Sequence, residues 1–327
     1  MKKIAVRTIV LLCAMFAANA VSSWSARAQI GEQPIRIIFP FTAGGSGDAL
    51  CRLLAEHMRV GLNRPVIVES RTGAAGRLGV QAVKSAAPDG DTLLLTPIAP
   101  VAIYQHVYDS LGYDPFTDLA PLAQVATFEF ALAVGPQVPA KSLKELVAWV
   151  KANPDVGNYG TPGAGTLPHF FAVTFGRTAS IDLRHVGYRG SAAALIDLIG
   201  GQISMLVTTT ADLLESHKSG RVRVLATSDD KRSQLLPDVP TFKEDGFDIE
   251  GTAWYAMYAP ANTPADKVAS LNKVIVDALK KPEVKERLLT FGLYATGTSP
   301  DELDRIQKRD SELWKPSIKA SSFTPKQ

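Results

Sequence analysis

From residue 35 onward, short apolar runs alternate with amphipathic stretches, and this alternation limits the possible folds more than any other feature of the chain. The runs at 35–39, 66–69, 92–96, 121–126, 130–134, 203–208, 222–227 and 254–259 are each bounded by Gly, Pro or Asp, as buried strands are. Between them apolar residues recur at helical spacing. Leu50, Leu53, Leu54 and Met58 share one face of a helix beginning at 48. Ser142 with Glu145 spells a capping box, Thr263 with Pro264 opens another helix, and Ser299, Pro300 and Glu302 open the last. The pattern predicts an α/β protein with largely parallel sheets. The sequence has no heptad run, low-complexity tract or short-period repeat.

The first 28 residues stand apart. Lys2 and Lys3 precede a mostly apolar stretch, Ile9 to Ala20, and Ala26-Arg27-Ala28 fits a small-x-small cleavage site. This predicts a secretory signal peptide over 1–28 and a soluble mature protein. Removing Lys2, Lys3, Arg7 and Arg27 from the 35 basic residues leaves 31 against 32 acidic ones. A nucleic-acid partner thereby loses its main electrostatic argument. Cleavage also removes Cys13 and leaves Cys51 alone, so no internal disulfide is expected. Cys51 falls on the buried side of its helix and reads as packing.

Two segments echo each other. "FPFTAGGSGDALCRLL" and "NYGTPGAGTLPHFFAV" (158–173) each run from a strand-like entry through a glycine-rich turn into a helix. A helix N-terminus presents unpaired N–H groups and partial positive charge, so two facing one cleft would clamp an anion. Each turn can equally be a plain strand-to-helix connection. The first is no nucleoside-triphosphate loop, because Gly47 is followed by Asp48 rather than Lys. Asp48 reads as an N-cap or first-turn acid. "GAAGRLG" at 73–79 lacks dinucleotide spacing, but it follows the strand "VIVES" and can supply a further nest of amides, Gly73 among them. Thr96, in "TPIAP", ends a strand where open α/β sheets bind ligands.

No cofactor and no metal is expected: His57, His106, His169, His185 and His217 have no metal-ligand spacing. His169 either lines the cleft or donates a hydrogen bond that holds the second turn. No G-x-S-x-G elbow is present, and nothing in the spacing supports a Ser46–His169 hydrolytic pairing, so no catalytic residue is expected. In "VGYRGSAAALIDLIGGQISMLVTT", Tyr188, Gly190, Ser191 and Ala192 stand at the start of a helix. Arg189 beside them can pair a carboxylate or be solvated, and Asp197 reads as structural. Trp254 and Tyr255 read as core or hinge packing.

Taken in order, "PIRIIFPFTAGGSGDALCRLLAEHM", "PVIVESRTGAAGRLGVQAVKSAAPDGDTLLL", "YDPFTDLAPLAQVA", "ANPDVGNYGTPGAGTLPHFF", "HVGYRGSAAALIDLIGGQISML", "SGRVRVLATSDDKRSQLLPDVPTFKEDGF" and "AWYAMYAPANTPADKV" resemble the substrate-binding receptors of tripartite tricarboxylate transporters, the Bug family. The resemblance covers nearly all of the chain after 28. It implies a two-lobed, Venus-flytrap periplasmic binding protein with a ligand cleft between two α/β domains: 30–127 plus 252–327 as lobe one, with the C-terminal helices packed on it, and 128–251 as lobe two. It implies a small organic acid as ligand, held by main-chain amides and water. Phe41, Gly44, Gly45 and Asp48 match the family's carboxylate-binding loop; Gly163, Gly165, Thr166 and His169 match the opposite wall. With Ser46, Gly73, Thr96, Tyr188, Gly190 and Ser191 these make the expected ligand-binding set.

The sequence departs from the family pattern at Ser70, at Ala75 and at Thr208–Thr210, where an aspartate is usual. The implied partners are the membrane permease subunits, with the receptor itself monomeric. Two other roles stay open: presentation of the liganded receptor to a membrane sensor kinase, and a secreted hydrolase. On the receptor reading, Gly45→Val should weaken binding strongly, by crowding the anion and disfavouring unusual backbone angles, and His169→Ala should weaken it less.

Overall fold

β1 (Ile35–Phe39), β2 (Val66–Ser70) and β3 (Thr92–Pro97) form a parallel triplet with β1 at its centre. Four of the five β1 side chains are buried, because a parallel sheet is covered on both faces and its strands read as apolar runs. The structure is a computed structural model that describes residues 33–188, 190–321 and 323–324. The expected signal peptide and Arg189 lie outside the described residues. No helix among the described residues is long and apolar enough to cross a membrane.

The remaining strands are β4 (Leu119–Val134), β5 (Asn158–Thr161), β6 (Arg184–Gly187), β7 (Met205–Thr209), β8 (Arg223–Thr227), β9 (Thr252–Pro260) and β10 (Tyr294–Ala295). Their order is β2-β1-β3-β9-β4-β7-β5-β6, with β8 and β10 also on β4. β5 repeats the parallel arrangement with β6 and β7. Every pair that β4 or β9 makes is antiparallel. The expectation of largely parallel sheets is therefore corrected: two parallel triplets are joined by antiparallel strands, since the chain leaves along β4 and returns along β9.

The runs 121–126 and 130–134, expected as separate strands, are one. Leu119–Glu129 pairs with β9, and Phe130–Val134 pairs with β7. A single strand thus belongs to both sheets. β6 had no apolar run to announce it: it is an edge strand of sequence RHVG with no residue fully buried.

In chain order the helices are α1 (Ser46–Leu62), α2 (Arg77–Lys84), α3 (Leu143–Ala152), α4 (Leu167–Thr178), α5 (Ser191–Ile199), α6 (Thr210–Lys218), α7 (Ala265–Lys280), α8 (Pro282–Leu289) and α9 (Pro300–Ala320). α1 buries Leu50, Cys51, Leu54, Ala55 and Met58, and burial pushes the Cys51 thiol well up. α3 and α9 begin as expected, Ser142 and Ser299 accepting from the amides of Glu145 and Glu302, both at 3.2 Å. A column of rings links the sheets: Tyr255 to Phe128 (5.1 Å between centroids), Phe128 to Phe130 (5.9 Å), Phe130 to Phe171 of α4 (6.1 Å). Each wholly buried Phe contributes roughly 1.5–3 kcal/mol.

α9 packs through a buried polar seam. Gln307 donates to the carbonyls of Val101 (2.8 Å) and Pro115 (3.1 Å) and accepts from Tyr258 (3.1 Å). Asp310 accepts from Trp254 Nε1 (2.8 Å), and Ser311 meets Gln105 (2.6 Å) and His106 (2.8 Å). Further along, Ser317 accepts from Thr174 of α4 (3.1 Å). The last helix therefore spans from the first sheet's side to a helix of the second.

Candidate functional site

The first glycine turn lies between β1 and α1. Gly44 has φ +100°, a conformation L side chains rarely adopt, and Gly45 caps the helix with ordinary extended angles (φ −90°, ψ 178°). The unusual angles expected of Gly45 belong to Gly44. A Cβ placed on either glycine would meet no atom within 4 Å. The first intrahelical bond runs from Ala49 N to Gly45 O (3.0 Å), so the amides of Ser46, Gly47 and Asp48 precede the helical ladder. Empty space at a helix N-terminus is where an anion fits.

Asp48, third in the helix, is buried, and its Oδ2 accepts from the Gly44 amide (3.1 Å). Arg52 grips both of its oxygens, at 3.0 and 3.1 Å. Burial alone would raise this carboxyl, but the bonds from Arg52 and Gly44 outweigh it and hold the group below its ordinary 3.8. Asp48 thus shapes the turn while Arg52 balances its charge. Gly47 is packing: a Cβ there would lie 2.6 Å from the Phe39 ring and 2.9 Å from that of Tyr255.

Phe41, half-buried, packs beside Phe39 (5.9 Å) and over Gly76, linking the first turn to the loop after β2. In that loop Gly73, Ala74, Ala75 and Gly76 all have positive φ, from 47° to 128°. A left-handed alanine costs roughly 1–2 kcal/mol. Arg77 braces the loop, donating to Ala74 O (3.0 Å) and Ser110 O (3.2 Å) and lying 4.1 Å over the Tyr108 ring. Thr96 is fully buried and its hydroxyl donates to Pro97 O (3.1 Å), so it offers that group to nothing else.

The second turn is built differently. Gly165 (φ +75°) donates its amide to His169 Nδ1 (3.1 Å), so the imidazole accepts and does not donate as expected. Burial, then His185 stacked at 4.0 Å, pushes His169 down to about 3; burial takes His185 to about 4. Both rings are neutral near pH 7. Thr161 and Thr166 both donate to Gly163 O, at 3.0 and 2.7 Å, and Thr161 in turn accepts from His185 Nε2 (2.7 Å). Pro168 removes one helix-start donor from α4.

The adjoining loop is similarly self-satisfied. Tyr188 donates its amide to Thr161 O (3.0 Å) and its hydroxyl to Asp197 (2.7 Å); burial and that carboxylate push the phenol up to about 12. Gly190 donates to Pro162 O (2.8 Å), and a Cβ on it would meet open space. Thr208 spends its proton on Asp212 (2.8 Å), so Ser191 donates to Thr208 (2.9 Å).

Tyr255 packs at the first turn. It is half-buried beside Gly47; burial pushes its phenol up to about 12, against the pull of the neighbouring Ser46 hydroxyl, and the Asp212 charge adds to the rise. Ser191, Thr208 and Asp212 form a hydrogen-bonded chain at the start of α5, and the Asp212 charge is felt at the Tyr255 phenol beside the first turn. Tyr255, Thr208 and Asp212 were not among the expected site residues. The only signal was the threonine run at 208–210, where the family pattern has an aspartate. Among the described residues no hydrogen bond joins Ser46 to His169, as a hydrolytic pair would need. A cavity of about 390 Å³ lies elsewhere, and its lining sets Asp229, Asp230, Glu250 and Asp310 against the guanidinium of Arg309, a balance that opposes an anion.

Residues 50–323 match the tripartite tricarboxylate transporter family receptor. The chain belongs to that receptor family. BugT of Bordetella pertussis is 32% identical over 284 residues, 86% of this chain and 87% of BugT. Among solved structures, an R. palustris protein with adipate superposes with a TM-score of 0.84 at 26% identity, covering 91% of this chain and 100% of that one. MatC from Rhodopseudomonas palustris with bound malate has a TM-score of 0.78 at 27% identity, covering 87% and 98%. The fold is the two-lobed α/β fold of periplasmic binding proteins, and the family is one of solute-binding receptors.

Proposed function

We propose that this chain is the periplasmic receptor for a small organic dicarboxylate, exported by the segment 1–28 and delivering its ligand, as a monomer, to the permease subunits of a tripartite tricarboxylate-type transporter. The observation that carries the reading is the empty space over Gly44 and Gly45 at the start of α1, where three amides precede the helical ladder. One carboxylate would sit in the space over Gly44 and Gly45, on the amides of Ser46 and Gly47, with Phe41 as its apolar flank. The other end would face Tyr255 and the hydrogen-bonded chain of Ser191, Thr208 and Asp212. Gly165, Tyr188 and Gly190 would shape the walls, their amides and the Thr166 and Tyr188 hydroxyls being spent within the protein, while Gly73, Gly163, Thr166 and His169 would keep an amide or ring N–H for the ligand.

In this reading 30–127 plus 252–327 form lobe one and 128–251 lobe two, and ligand contacts from both favour the closed form. The relatives solved with malate and with adipate, both dicarboxylates, support the ligand class. Calorimetric titration of the chain from Gln29 onward against di- and tricarboxylates and aromatic acids tests it. Binding of a four- to six-carbon diacid is the expected result. A folded protein silent across the whole panel would overturn the reading.

A further inference from the structure

The C-terminal end of the chain reaches the second glycine turn. α9 is anchored on α4 by Ser317 and Thr174, and Ser321 closes its end by donating to Ile318 O (2.6 Å). The next described residue, Phe323, donates its amide to Ser321 Oγ (3.1 Å), which fixes the direction in which the tail leaves the helix. Its ring then lies against the turn. A Cβ on Gly165 would be 2.8 Å from Phe323 Cε1. The ring stands edge-on to His169 (centroids 5.3 Å apart, 84°) and to Phe170 (6.1 Å, 74°). His169 and Phe170 are buried, at 6% and 0% exposure, and Gly165 and His169 are the two ends of the hydrogen bond that sets the turn.

We propose that Phe323 is a positioning residue for the second turn: its ring covers the Gly165–His169 bond and so holds, from the far end of the described chain, the turn that the proposed function makes a wall of the ligand site. Edge-on aromatic contacts are favoured by ring electrostatics, and a ring over a backbone-to-imidazole bond keeps water from competing for it. The ring lies on the His169–Phe170 side of the turn, within the aromatic packing, and not in the empty space over Gly44 and Gly45. It therefore supports the wall and does not plug the site. Its effect on affinity rests on the dicarboxylate reading; its effect on the turn does not.

The test uses the full chain in three forms: unaltered, Phe323→Ala and Phe323→Tyr. The first readout, without ligand, is the NMR titration of His169. It stays neutral at about pH 5 in the unaltered protein, and in Phe323→Ala its midpoint rises by about one unit or more toward the ordinary 6.5. The neutral groups facing it, His185 from β6 and Tyr159 from β5, are the same in all three forms. The second readout is the dissociation constant for malate or adipate, which rises about three- to tenfold in Phe323→Ala. Phe323→Tyr keeps the ring and matches the unaltered protein in both readouts. An unmoved His169 midpoint in Phe323→Ala overturns the proposal, and so does tighter binding in that variant, which would make the ring an obstruction. If the unaltered protein binds neither diacid, the dicarboxylate reading fails while the His169 midpoint still decides the role of Phe323.

Discussion

Over Gly44 and Gly45 of the first turn there is empty space, whereas over Gly165 of the second there is the ring of Phe323. The two turns share a strand entry, a glycine run and a helix start, yet their donors are used differently. At the first, the amides from Ser46 to Asp48 precede the helical ladder and the one buried acid is balanced by Arg52. At the second, the amides of Leu167 and His169 also precede the ladder, but the Gly165 amide goes to an imidazole, the Gly163 carbonyl takes two hydroxyls, and a proline removes a donor. Glycine serves opposite ends here. It leaves open space at one turn and lets the protein close on itself at the other.

The sharpest way to break this contrast is Gly45→Val. The backbone there is ordinary and the space is free, so the cost to stability should not exceed about 1 kcal/mol, the cost of a poorer cap. The side chain would fill the cradle, and diacid affinity should fall about 100-fold. Calorimetry and urea unfolding read the two effects separately; unchanged affinity would mean the empty space is not the ligand's.

Gly165→Ala should do the reverse. A Cβ at φ +75°, 2.8 Å from a packed ring, should destabilise the fold by about 2 kcal/mol. Gly45→Ala, the matched control, should stay within about 1 kcal/mol. Equal urea midpoints for the two alanine variants would erase the distinction between the turns.

Acid should separate the turns more gently. The folded-state values of His169 and His185 lie below their ordinary 6.5, so between those limits the unfolded chain binds more protons. Their contribution is fully present above about pH 6.5 and is lost as pH falls through about 4 to about 3. Asp48 is depressed from 3.8, so the stability it lends the first turn is lost only at pH below that value. Urea unfolding at about pH 7.5 and pH 5 should show a loss that shrinks in His169→Phe. The same loss in both proteins would count against neutral, buried rings.

The sequence made the elements around the first turn legible because their residues carry local signals: apolar β1, the glycines, the helical face of α1, and the serine caps of α3 and α9. It misled where the signal was not local. Nothing in the residues 127–129 says that β4 runs on from one sheet into the other, because continuity depends on β9 arriving from more than a hundred residues away. β6 is polar enough to pass for a loop. The glycines of the second turn were visible, but not that His169 would accept from the Gly165 amide, since a histidine's tautomer is set by what it meets in space. Tyr255 reads as packing and does pack, on Phe128 and beside Gly47; that its phenol also feels Asp212 was hidden because Asp212 lies far off in the chain.

The buried polar face of α9 has a mechanical corollary. A greasy helix can slide along its bed with little penalty; one whose Gln307, Asp310 and Ser311 each mate with a particular group cannot shift without leaving several of them stranded. Adding or deleting one residue after Ser311 would turn the remainder of the helix by about 100° and displace it by about 1.5 Å. The seam therefore acts as a ruler. It sets, a dozen residues in advance, the spot where the final aromatic side chain comes down.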